Sequence, residues 1–172
     1  MRTTTGTTTE RTTTKSPSPT STPRLALRPS ARSDRAGPSW GDPDRTLLDG
    51  AWWPRSTDPA AELPGLIRAL QAQAPPDDRK PITHVMLRVA DWDDHPRHLR
   101  VDKADAPDDP DDIPLGWFDG LPAGLLTAIH ADGRRVDLLT VPPTTGHAAA
   151  RAALELAAHP ANHLPAPDLL DE

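Results

Sequence analysis

The chain has no cysteine in 172 residues. Disulfide frameworks, thiolate zinc sites, iron–sulfur clusters and thiol nucleophiles are therefore excluded outright. Tyrosine is also absent, and a single phenylalanine stands beside five tryptophans, so indole is almost the whole aromatic inventory. No apolar run reaches membrane-spanning length, and Met1 to Thr14 hold Arg2 and Arg11 but no apolar stretch of the kind a secretory signal needs. These absences lead us to expect a cytoplasmic protein that makes no use of membranes.

Charge of one sign is scarce in each part of the chain. Residues 1 to 36 carry seven Arg or Lys against two acids, whereas the remainder holds a net charge of -11 within a total of -6. An acidic folded part is a poor electrostatic match for nucleic acid. The basic leader disperses its charges among Thr residues, so it lacks the dense block that favours strong counterion release.

Residues 1 to 23 are mostly Thr, Ser and Pro, with no large apolar side chain after Met1. Such a segment cannot bury enough to offset its ordering entropy, and we read it as a disordered leader. Residues 24 to 159 read as one α+β domain and residues 160 to 172 as a loose, proline-rich tail. Arg24 to Arg28 alternates with a period of two, as a strand does. Residues 29 to 45 read as loop, and Leu47 to Trp53 reads as a second strand, ended by Pro54.

Asp58-Pro59 is a helix start, because the carboxylate can accept from free amides and Pro needs no donor in the first turn. Leu63, Leu66, Ile67 and Leu70 fall on one helical face, with a kink or break expected at Pro64. Ile82 to Ala90 reads as a strand with Val85, Leu87 and Val89 on one side and His84, Met86 and Arg88 on the other. Leu99 to Lys103 is expected to pair with it, the acidic stretch Asp105 to Asp112 to be solvated loop, and Leu115 to Phe118 to be a short strand. Asp132-Gly133 suits a two-residue type I′ hairpin turn. That turn would oppose Ile129 to Val136 and Thr127 to Leu138. Thr145 is the expected cap of an Ala-rich helix reaching about His159. Because the strands cluster instead of alternating with helices, the order predicts a mostly antiparallel sheet with two helices packed on one face.

The adjacent pair Trp52-Trp53 is the most unusual feature. Neighbouring strand side chains point to opposite faces, so both indoles are buried only if both faces are covered. The functional reading is a binding surface for a small ligand or protein partner built from Asp49, Trp52, Trp53, Arg55 and Trp117. The plainer reading, favoured by the usual burial of Trp, is that the pair fills the core. His95 and His98, with Asp91, Asp93 and Asp94, have metal-ligating chemistry, but Pro96 makes their setting an irregular loop, and no metal or cofactor is expected. An enzyme reading would cast His84 as general base with Asp49 or Asp91 orienting it. No nucleophile elbow, phosphate-cradling glycine loop or dinucleotide fingerprint accompanies it, so no catalytic residue is assigned. A third reading has an exposed sheet face carrying Met86 form a homodimer.

Four segments carry a family resemblance: Arg24 to Pro29, Asp49 to Ser56 with the run Asp-Gly-Ala-Trp-Trp-Pro, Ala61 to Pro64, and Asp137 to Pro143. Together they resemble an actinobacterial family of unknown function over about residues 24 to 159. The resemblance supports the domain boundaries and implies no chemistry. The Thr-rich leader and the Asp-rich insert are peculiar to this chain.

Overall fold

A computed structural model describes residues 24–29, 48–74, 79–103 and 108–162. The expected leader, most of the loop after Pro29, part of the acidic insert and most of the tail lie outside these residues. Seven strands, β1 (Arg24–Leu27), β2 (Gly50–Trp53), β3 (Ile82–Arg88), β4 (His98–Val101), β5 (Asp111–Phe118), β6 (Leu125–His130) and β7 (Arg135–Thr140), form one sheet. Two helices, α1 (Pro59–Gln73) and α2 (His147–Ala157), complete the described fold. The sheet order is β1-β2-β7-β6-β3-β5-β4. Its pairs are antiparallel except β2 with β7 and β3 with β5, so the sheet is mixed but mostly antiparallel, as the sequence predicts.

Helix α1 forms where its signals stand. The Asp58 carboxylate accepts from the amides of Ala60 and Ala61, and Pro59 occupies the first turn. Pro64 does not break it; the helix runs on to Gln73. Leu63, Leu66, Ile67 and Leu70 are buried against one sheet face, with Trp52, Val85, Leu87, Leu99, Ile113, Leu126 and Leu138. Helix α2 lies on the other face, where Ala150 and Ala157 pack with Ala51, Trp53, Leu139 and Val141. The helices thus cover opposite faces, which corrects the expectation of one shared face. Strands β2 and β7, distant in sequence, pair in parallel, and the helix that follows each lies on a different side.

Two register expectations also change. The hairpin closes through His130 N–H to Arg134 O (2.9 Å) around a three-residue loop, with Gly133 at positive φ (84°). Ala131 gives its amide to Pro81 O instead of pairing with Arg134, and Asp132 accepts from the Arg134 amide and guanidinium. A one-residue shift reverses the faces of a strand. Leu126, Ala128, Val136 and Leu138 therefore face α1, whereas Ile129 pairs with Arg135 and Thr127 with Asp137 on the far side. Strand β4 pairs with β5, not with β3, and β5 starts at Asp111, inside the stretch expected to be solvated loop. Lys103 reaches Asp109 (3.0 Å) and Asp111 (3.1 Å) and offsets the acidic charge there.

The motif Asp49-Gly50-Ala51-Trp52-Trp53 is a seam at which each residue has a packing duty. Asp49 accepts from the Asp137 amide (2.9 Å) and so fastens the start of β2 to β7. A Cβ at Gly50 would stand 2.1 Å from the Ala26 carbonyl oxygen, so only glycine lets β1 approach. Ala51 is fully buried beneath α2. Trp52 faces α1 and stacks on Trp92 with centroids 5.9 Å apart, and Trp53 faces α2.

Candidate functional site

Strands β2 and β7 run side by side in the same direction. The chain after β2 turns to α1 on one face, and the chain after β7 turns to α2 on the other. The carboxyl ends of the two strands, from which the chain departs to opposite faces, therefore lie side by side. Each helix follows its strand by a short connection, α1 after β2 and α2 after β7.

The two N-termini are closed differently. Helix α1 is filled by Asp58, and Glu62 takes the Arg55 amide (3.1 Å) and the Ser56 hydroxyl (3.0 Å). Helix α2 begins at Gly146 with no side-chain cap and no acid in its first turn, so Thr145 does not cap it as expected from the sequence. Thr145 instead gives its amide to Pro142 O (3.0 Å) in the preceding turn.

Around this open end stand Arg24, Trp53 and His147. The Arg24 guanidinium lies 3.6 Å from the Trp53 ring centroid, a cation–π contact worth about 0.5–2 kcal/mol. The His147 ring meets the Trp53 ring edge-on at 5.7 Å. Desolvation lowers the Arg24 guanidinium below its ordinary value, the neighbouring Arg55 charge lowers it further, and Glu62 partly opposes both. Neither guanidinium has an ion-pair partner among the described residues. The Trp53 Nε1–H is buried and has no acceptor among the described residues. At the end of β7, on the α1 side of the sheet, the buried Thr140 hydroxyl likewise has no partner there.

The five residues singled out in the sequence are not gathered into one surface. Trp53 ends β2 and Arg55 follows in the turn toward α1. Trp52 is 1% exposed on the opposite face and Trp53 is 6% exposed, so neither indole forms an open stacking platform, and the core reading of the pair is the one the fold realises. Asp49 lies at the other end of β2, bound to the β7 backbone. Trp117 is half-buried on β5, donating to Pro96 O (2.7 Å) with the His95 ring 4.7 Å away. Arg24 and His147 were not read as site residues. The one sequence signal for them is the uncapped turn Pro142-Pro143-Thr144-Thr145-Gly146, which brings hydroxyls and free amides to a helix start.

The other constellations have dispersed. His84 is exposed and its ring meets only the Thr83 hydroxyl (3.2 Å), so the expected carboxylate partner does not reach it. Asp91 accepts from Gly124 N–H and pairs with Arg88, Asp93 takes the Thr57 hydroxyl, His95 meets Val89 O and His98 meets Asp112. These groups are spent on separate contacts.

The fold is a mixed-sheet α+β domain with one helix on each face. The chain belongs to DUF5994, a family of unknown function whose sequence model matches residues 24–157. No curated protein and no solved structure matches it. Among the described residues no helix is long and apolar enough to cross a membrane.

Proposed function

We propose that the chain is a non-enzymatic, cytoplasmic binding module whose ligand enters the crevice at the carboxyl ends of β2 and β7. One observation carries this reading: adjacent parallel strands send their helices to opposite faces, leaving an edge where Trp53 holds a buried donor without an acceptor. A buried unpaired donor costs about 1–3 kcal/mol, a penalty that a ligand acceptor would relieve. The lack of a carboxylate beside His84 favours binding over general-base chemistry.

The test is a thermal-shift panel of neutral, cationic and anionic small metabolites against the native chain and Trp53→Phe, which keeps most of the packing and removes the donor. The reading expects at least one compound to stabilise the native chain and to lose that effect in the variant. Compounds that stabilise both alike, or none at all, would sink it.

A second reading has its own observation. Beyond α2, the far face of β3 and β5 exposes Phe118 (44%), whose ring crosses Gly116 beside half-buried Met86. An open apolar patch of this kind supports a homodimer through the sheet face. Light scattering of the native chain and Phe118→Ser separates the two readings, since only the dimer reading expects a mass that halves in the variant.

A further inference from the structure

We propose that the last residues of the chain dock on the open half of the sheet, with Leu169 and Leu170 over β3 and β5 and with Asp171 and Glu172 at Arg100 of β4. The inference goes beyond the ligand site above and does not depend on it. It competes with the homodimer reading, because the occupant of the face is the chain's own C-terminal segment instead of a second copy.

Helix α2 covers only part of its side of the sheet, packing on β1 and β2. Beyond it the same side carries Ile129, Met86, Pro114 and the exposed Phe118, with no helix over them among the described residues. A sheet face that holds apolar side chains is stable when another element buries it. A row of side chains crosses the strands there. Arg135 lies beside Ile129, Ile129 beside His84 and Pro114 beside His98, with β3 and β5 in parallel register between them. Arg135 is paired with Asp137 and His98 with Asp112, whereas Arg100, exposed on the last strand of the row, has no partner among the described residues.

Asn162 sits where this row begins. The Arg28 guanidinium donates to its carbonyl oxygen (2.6 Å), and the Arg28 amide donates to Asp49 O (2.7 Å), just before β2. Strands β2, β7, β3 and β5 run in one direction, so the start of β5, where Asp112 pairs with Arg100, lies at the same edge of the sheet. Ten residues follow Asn162, with Leu164, Leu169 and Leu170 as their large apolar side chains and Asp168, Asp171 and Glu172 as their acids. Extended chain advances about 3.3 Å per residue, so they reach about 33 Å. Crossing from β1 to β4 at about 4.8 Å per strand takes about 29 Å. At that pitch positions 169 and 170 fall over β3 and β5, and positions 171 and 172 over β4. The chemistry agrees with the spacing: leucines meet Met86 and Pro114, and carboxylates meet the unpartnered guanidinium. Pro165 and Pro167 favour the extended backbone that such a crossing needs.

Methionine occurs only at positions 1 and 86, so a methyl-labelled full chain gives one signal from the sheet face, assigned by its loss in Met86→Leu. The absence of cysteine lets Asp168→Cys carry a single nitroxide. We expect the label to broaden the Met86 methyl signal. The broadening should fall by about two-fold or more in Leu169→Ser/Leu170→Ser, through lost apolar contact, and in Arg100→Gln, through lost charge attraction. The leucine changes leave every described contact in place, so they carry the test if Arg100→Gln disturbs β4. A mixed sample, with the nitroxide on one copy and the methyl label on another, should show no broadening. No broadening within one chain, or broadening unchanged in the leucine variant, overturns the inference. Broadening in the mixed sample equal to that within one chain assigns the face to a second copy, which overturns the inference in favour of the homodimer.

Discussion

Helix α1 opens on a carboxylate and buries four large aliphatic side chains, whereas α2 opens on glycine and buries alanines. Both leave the same edge of the sheet from neighbouring strands, so the contrast is one of use rather than position. Helix α1 is closed at its start and wedged into the larger cluster beside Trp52 and Trp92. Helix α2 is held close by small residues and left open at its start. One helix is anchored by large aliphatic side chains, and the other starts without a side-chain cap.

The largest effect that would sharpen this contrast is expected at Leu66, 1% exposed on the buried side of α1. Leu66→Ala should lower stability by about 2–5 kcal/mol in urea unfolding, because the lost transfer energy is joined by a cavity that the sheet cannot collapse into. On the α2 side the sensitive direction is reversed. Ala150 is fully buried, so Ala150→Leu should cost about 1–3 kcal/mol by pushing the helix off Leu139 and Ala51. If the larger side chain were accommodated at no cost, the close seating of α2 would be wrong.

The smallest effects compare the helix starts directly. Asp58→Ala should cost about 1 kcal/mol because two amides lose their acceptor. Gly146→Ser should gain only a few tenths of a kcal/mol, roughly the difference between glycine and serine at a cap. The glycine has ordinary negative φ (-58°) and open space where a Cβ would go, so no strain opposes the change. A loss on Gly146→Ser would mean that the start of α2 is already closed.

The local signals were legible in the sequence wherever neighbours along the chain decide the outcome. Asp58-Pro59 and the Leu63–Leu70 spacing give α1, and alternation gives β3 with Val85 and Leu87 inward. The mostly antiparallel class follows from clustered strands. What escaped was long-range pairing. Nothing near Gly50 announces that it will lie beside Leu138. The hairpin register turned on one amide, that of Ala131, choosing Pro81 over its own hairpin partner.

The candidate site was legible in part for the same reason. The Trp52-Trp53 pair was recognisable as a segment needing cover on both sides, and that is how it sits. Trp53 and Arg55 were named, but Arg24 is an ordinary strand residue until β1 pairs with β2 and places it over an indole. Asp49, Trp52 and Trp117 were grouped with them by proximity in sequence or by side-chain type. The strand direction and the sheet itself separate them.

The alanine seating of α2 has a dynamic consequence. Small side chains remove little apolar surface from water per residue, so detaching this helix exposes less than detaching α1 and should need less than global unfolding. Its amides are therefore expected to exchange with solvent deuterium sooner than those of β7, to which it is tethered through Pro142 and Pro143. A molecule lodged at the first turn would slow that exchange along the whole helix by mass action, so occupancy could be read from amides several turns away.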